Sequence, residues 1–308
     1  YIPAYILWVI FNLTLLGLSV KLIHNALPVL HKISIYKLYL CCFLFFPTIA
    51  SFLFGQATPI ILLLYCLTYT SLKKQQDFRA GFYLGLLAFK PQLAIVIALV
   101  LLYKWRWKSL LGGIFSVCLS LGIGFLFMPD AMKAYITLSP KLLDFLRSPF
   151  YPIQGVDSFF GFSVLLFENL NPKIADISTL LLTGITSLFL LMLWQRNKWL
   201  EDPVEWDLSM AVTFCWGIMI SPHLFYYDLM LLLLPAAIMI QHLPWLYARN
   251  NKILLWTTLV WVVCYIGHNI SDAQIYILSY FNLPEIGLQL STPIIFLWGY
   301  SVYKAVYR

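Results

Sequence analysis

Lys90 stands in the middle of residues 80–103, AGFYLGLLAFKPQLAIVIALVLLY, a run otherwise apolar enough to cross a membrane. Keeping an ammonium group there costs roughly 2.5–3.5 kcal/mol on insertion scales, so it requires a polar cavity or a partner. A snorkelling side chain or an internal ion pair is the structural account. The proline that follows supports a functional one. Proline suits the first position of a helix, so a half-helix starting at Pro91 leaves the N–H groups of Gln92, Leu93 and Ala94 unpaired beside a positive dipole end. A lysine at such a terminus is an anion site, and phosphate is the anion that fits this setting. Lys90 and Gln92 are therefore the expected phosphate-binding residues.

The same punctuation recurs twice. In LFGQATPIILLL, Thr58 is expected to cap a helix whose first residue is Pro59, with Gln56 just outside. In MISPHLFYYDLMLLLLPA, Ser221 is expected to cap a helix starting at Pro222, which places His223 in its first turn with Tyr226, Tyr227 and Asp228 behind. On an ideal helix His223 and Asp228 lie about 140° apart, so a single cluster needs residues from another segment. Asp228, inside an apolar run, requires a function or a strong partner. Gln56, Ser221, His223, Tyr227 and Asp228 are the expected pocket residues.

The elements that must position these groups follow from composition. The 308 residues are 61% hydrophobic and only 11% charged, too little polar surface for a soluble globule. Long continuous apolar runs such as ISTLLLTGITSLFLLMLW exclude the alternating ten-residue pattern of an outer-membrane barrel. An all-α polytopic bundle is expected, as a single membrane domain over 1–308. Spans are read at about 4–20, 38–54, 57–71, 109–128, 176–194, 206–221, 225–241, 253–267 and 287–303, nine in all, with a broken pair of half-helices at 80–103.

Charge decides whether 80–103 crosses or returns. If it returns, the segments 21–37, 72–79, 104–108, 195–205, 242–252 and 304–308 share one side and carry 15 of the 20 Lys and Arg residues, against four opposite. If it crosses once, the split is 10 against 9 and no bias remains. The positive-inside rule selects the returning pair, with the C-terminus cytoplasmic and the long loop 129–175 outside. Lys90 then lies between the bilayer midplane and the outer interface. Within the loop, KAYITLSPKLLDFLRSPFY and SFFGFSVLLFENL read as interfacial.

The net charge of +7 is spread as punctuation between spans and contains no basic block, which argues against nucleic acid. All six cysteines fall in apolar runs without ligand spacing, so neither a metal nor disulfides are expected, and no cofactor is. The chain starts at Tyr1 with no initiator Met and becomes apolar within three residues, so a preceding segment is expected.

GQ at 55–56, GLLAFKPQLA followed by KWRWK, and SPHLFYYDLMLLL together resemble glycosyltransferase family 87, the polyprenol-phosphate-mannose-dependent mannosyltransferases of the type C superfamily. The resemblance covers most of the chain. YIPAYILWV at the start is similar to the point where that family's conserved region resumes after its first external loop. It implies a multi-pass enzyme, of the bacterial cytoplasmic membrane, that moves a hexose, mannose, from a polyprenyl phosphate to a glycan or lipid acceptor at the non-cytoplasmic face. Lys90 would hold the donor phosphate, while His223 and Asp228 would line the pocket. The family's essential acid lies in its first external loop, so the catalytic base is expected before Tyr1. Aromatic faces for a sugar are available at Tyr135, Phe150, Tyr151, Phe159 and Phe160. The alternative is a transporter or flippase of lipid-linked sugar, which normally shows paired helix breaks in two similar halves; no second break matching Lys90-Pro91 is evident.

Overall fold

The computed structural model describes residues 2–141, 145–148, 151–281, 283 and 286–307. Among these the chain is helical, and the β-structure is a single bridge between Val156 and Phe225. The first helices are α1 (Ile2–Ala26), α2 (Ile35–Leu44), α3 (Phe46–Leu53) and α4 (Thr58–Lys73). The returning segment comprises α5 (Asp77–Gly85), a 3₁₀ turn at Leu86–Phe89, and α6 (Pro91–Tyr103). After it come α7 (Trp107–Phe127), α8 (Pro129–Leu138), α9 (Phe159–Phe167), α10 (Pro172–Arg196) and α11 (Pro203–Ile220). A 3₁₀ segment, Tyr226–Leu232, leads into α12 (Leu233–Gln241), followed by α13 (Leu243–Arg249), α14 (Ile253–Tyr280) and α15 (Ser291–Tyr307).

Four helices, α1, α7, α10 and α14, are long and apolar enough to cross a membrane. The bent pairs α2 with α3 (69°) and 226–241 with α13 (76°) raise the number to at most six among the described residues, so nine spans are not confirmed. The shortfall has a physical reason. α4 and α15 have only 16 and 17 residues, and α11 carries Glu205 and Asp207 in its first turns. The same elements form the interior: α11 is buried from Trp206 to Met219, whereas α7 has 11% of its apolar window buried and exposes Ile114, Phe115, Leu126 and Phe127. Short polar-ended helices inside and long apolar ones outside suit a bundle whose solvent is lipid. α14 continues past the expected end at 267 to Tyr280, and His268 and Asp272 meet one turn apart within that extension at 3.2 Å.

Residues 80–103 double back toward the end from which they start. Arg106, at the start of α7, donates to both carboxylate oxygens of Asp77, at the start of α5, at 2.7 and 2.6 Å. α5 and α7 therefore start together and run side by side. Their contact depends on small residues: a Cβ on Gly81 would lie 1.7 Å from the Ser109 carbonyl oxygen, and one on Gly112 would lie 2.1 Å from that of Phe78. α6 must come back down between them in the chain order.

Side-chain contacts also tie together the six basic segments. Gln241 accepts from Val29 N–H, and His242 and Lys73 share Asp207. Asp77 meets Arg106, Lys104 meets the Asn197 carbonyl, Arg196 meets that of Tyr307, and Asn250 donates to Ser301. At the opposite end, Tyr5 donates to the Phe52 carbonyl and Trp8 to that of Gly55.

Candidate functional site

At the end of the bundle away from the basic segments, three chain breaks converge. Asp228 is fully buried, and its carboxylate accepts from Thr58 Oγ1 at 2.7 Å and from Lys90 Nζ at 3.2 Å to each oxygen. These partners are 170 and 138 residues away in sequence. Lys90 is held there because Pro91 is the first residue of α6, which places Lys90 at the N-cap with φ −136° and ψ 65°. Its side chain keeps 17% exposure, and among the described residues Asp228 is the hydrogen-bond partner of its ammonium. An ammonium has three N–H donors, and Asp228 engages it loosely, beyond the 2.7–2.9 Å of a strong charge-assisted bond.

Several expectations need correction. Thr58 does not cap α4: the N-cap is Ala57, Thr58 is the first helical residue, and its hydroxyl is taken by Asp228. The Leu93 N–H is not free, since it donates to the Lys90 carbonyl at 3.1 Å in a tight first turn. Ser221 ends α11 instead of starting a helix, and its hydroxyl donates to the His223 carbonyl at 3.3 Å. The chain stays extended to Phe225, because Leu224 accepts from Asp157 N–H at 2.7 Å and Phe225 bridges Val156. Helical structure resumes at Tyr226, so the angle between His223 and Asp228 on one helix is not the relevant geometry.

His223 is reached from another segment. The Tyr151 hydroxyl lies 2.5 Å from its Nδ1. Burial, and to a lesser degree the field of Asp228, raises the Tyr151 phenol above its ordinary range, so the hydroxyl is the donor and the neutral ring the acceptor. Burial, then the nearby Lys90 charge, lowers His223, with Asp228 opposing. The imidazole is neutral at pH 7.

Tyr227 flanks the cluster, stacked on Phe225 with ring centroids 5.3 Å apart, and Tyr226 stacks on His268 at 3.9 Å. Gln56 is not part of it: its amide turns back on the Phe54 carbonyl at 3.2 Å, and Phe54 itself packs on Tyr226 and Tyr227. Gln92 is half-buried one residue past Pro91 and makes no hydrogen bond to the other candidates among the described residues. Of the aromatic candidates, Phe150 lies outside the described residues, Tyr135 is exposed on α8, Phe159 packs on Phe296 in the core, and Phe160 lies under Arg147. Tyr151 alone among them meets the cluster, through His223.

Sequence reasoning passed over a second polar centre. Asp207, in α11, accepts from Tyr69 at 2.7 Å, from Lys73 at 3.0 and 2.7 Å, and from His242 at 2.9 Å. Its signal was available: an acid near the end of an expected span, with Tyr69 and Lys73 one helical turn apart on α4.

The sequence model of glycosyltransferase family 87 matches residues 1–222, almost three quarters of the chain. Neither the curated proteins nor the solved structures contain a match.

Proposed function

Because this chain belongs to glycosyltransferase family 87, we propose that it transfers a hexose, mannose, from a polyprenyl-phosphate donor to a glycan or lipid acceptor at the non-cytoplasmic membrane face. That it is a membrane glycosyltransferase, with a sugar donor and an acceptor, follows from the family. The donor class rests on one observation: a lysine engaged loosely by its carboxylate, held at a break between two helices that double back. The sidedness rests on the charge bias, since the end carrying most of the Lys and Arg residues is the cytoplasmic one.

The geometry fits a lipid-linked anion. An apolar cavity of about 600 Å³ between α5, α6 and α7 runs from Trp107 at the basic end to Pro91, the neighbour of Lys90. An isoprenoid chain in that groove would end beside Pro91, one residue from Lys90. The other large apolar cavity, about 490 Å³ between α6 and α10, is lined by Ile95 to Tyr103 and stops short of Lys90.

In the reaction, an acceptor hydroxyl attacks the anomeric carbon, its proton passes to a carboxylate base, and the bond to the phosphate oxygen breaks with inversion. The electron pair leaves with the polyprenyl phosphate. Lys90 stabilises that developing charge, with the dipole of α6 behind it. Asp228 is not the base: it is fully buried and accepts from Thr58 and Lys90, so it is a positioning residue that aims the ammonium.

The test compares leaflets. Membranes carrying full-length protein with Lys90→Ala or Asp228→Asn should accumulate unused lipid-linked mannose already accessible from the non-cytoplasmic side. Donor trapped on the cytoplasmic leaflet, with no transfer in detergent by the unaltered protein, would overturn the proposal and favour a flippase.

A further inference from the structure

A separate polar cavity of about 420 Å³ opens on the other side of Tyr151, lined by Arg147, Ser148, Gln154, Glu168 and the apolar Leu165 and Ile275. Its size falls within the range of small-ligand sites, roughly 300–1,000 Å³. Two of its polar atoms are buried without a protein partner among the described residues: Ser148 Oγ and Glu168 Oε2. Buried polar atoms are rarely left so, because each costs desolvation without compensation. Arg147 faces the other Glu168 oxygen at 3.8 Å and also pairs with Asp176, which fixes the wall without filling the cavity.

The chemistry of this wall differs from that around Lys90. A free carboxylate oxygen repels a phosphate, and the guanidinium beside it repels a cation. A neutral ligand whose every polar group both donates and accepts can satisfy Glu168 Oε2 and Ser148 Oγ together, which describes a sugar hydroxyl. Tyr151 also lines this cavity, its ring packed by Phe145, His223 and Phe225. Tyr151 joins the two regions, since its hydroxyl reaches His223, which lies within the fields of Lys90 and Asp228.

We infer that this cavity binds a neutral carbohydrate, the sugar portion of the acceptor, next to the lipid-phosphate region at Lys90. The inference rests on the proposed function for the word acceptor, but not for the sugar site itself.

The probe is methyl α-D-mannopyranoside at millimolar concentration, with full-length protein in lipid nanodiscs and saturation-transfer NMR as the readout. Unaltered protein should transfer saturation to the sugar protons. Glu168→Gln, which keeps the shape but weakens the acceptor, should raise the apparent Kd about tenfold. Ser148→Phe, which fills the cavity from its edge, should abolish the signal, and it serves if Glu168→Gln fails to fold. Lys90→Ala should leave the signal in place. An absent signal with unaltered protein means a water-filled cavity and overturns the inference, as does a signal indifferent to both cavity substitutions. Lipid-linked mannose is assayed in the same preparations. Transfer without a cavity-dependent signal sinks the inference alone. A cavity-dependent signal with no transfer sinks the donor assignment and leaves the sugar site standing.

Discussion

The two ends of α4 carry two versions of one arrangement, a lysine and a buried aspartate joined by a hydroxyl. On α4, Thr58 touches one aspartate and Tyr69 and Lys73 the other, so the helix rise separates the two centres by about 17–22 Å, more than half of a bilayer core. At the basic end Asp207 is saturated: Tyr69, Lys73 and His242 all donate to it, and the Lys73 contact closes to 2.7 Å. At the other end, among the described residues, Asp228 has only Thr58 and a Lys90 shared between its oxygens at 3.2 Å each. A carboxylate with every lone pair engaged fixes helices to one another. One that holds its cation loosely leaves that cation able to bind something else. The first centre joins α4, α11 and the bend between α12 and α13; the second sits where helices break.

If that contrast is right, the two aspartates fail differently. Asp207→Ala takes the shared carboxylate from Tyr69, His242 and a partly exposed Lys73, and unfolding in detergent should show a loss of roughly 1–3 kcal/mol. Transfer per folded molecule should be near normal. A stable Asp207→Ala protein would mean that the saturated centre is not the clamp described.

Lys90→Ala should show itself mainly in transfer, which should fall about 100- to 1,000-fold, the usual consequence of removing one group that stabilises leaving-group charge. It also leaves the buried Asp228 carboxylate without its cation, so a loss of stability accompanies it and transfer is compared per folded molecule. Equal activity from a folded Lys90→Ala protein would make the two centres equivalent and both structural.

Thr58→Val sharpens the comparison, because it removes only the hydroxyl that orients Asp228. About a tenfold loss of transfer is expected, with the donor KM changing less than kcat. An unchanged rate would show that Lys90 needs no positioning.

The smallest effect concerns His223. Its folded pKa lies below the unfolded value, so folding excludes a proton. The associated stability is complete above about pH 6.5 and declines as pH falls from there through the folded value. Protonation also removes the acceptor for Tyr151, so the fall should be on the order of 1 kcal/mol. Tyr151→Phe, which removes the hydrogen bond but not the burial that lowers the pKa, should shrink that decline without abolishing it, whereas His223→Gln should abolish it; a His223→Gln profile identical to the unaltered protein's would place the titration elsewhere.

The outcome at each residue shows what local pattern could reveal. The returning pair at 80–103 was legible because charge bias is a sum over many loops and tolerates errors in any one. Lys90 and Asp228 stood out because an ionisable group in an apolar run is costly wherever its partner lies. The structure then pairs them with each other, which no spacing indicates across 138 residues. Ser221-Pro222 was misread for a related reason. Its sequence suits a helix start, but the bridge from Val156 and Asp157 to Leu224 and Phe225 holds the segment extended, and that bridge comes from another part of the chain. The Asp207 centre was missed because Tyr69, Lys73 and His242 look ordinary near helix ends until three elements bring them together.

By itself, then, the sequence determined the membrane class, the break at Lys90-Pro91, the common side of the basic segments and the residues whose burial required an explanation. Each of these depends on composition or on the cost of one residue in its own local setting. The tertiary structure alone decided which charges meet and which carboxylate is saturated. Those properties belong to contacts between distant segments: Lys73 meets Asp207 across 134 residues and Lys90 meets Asp228 across 138.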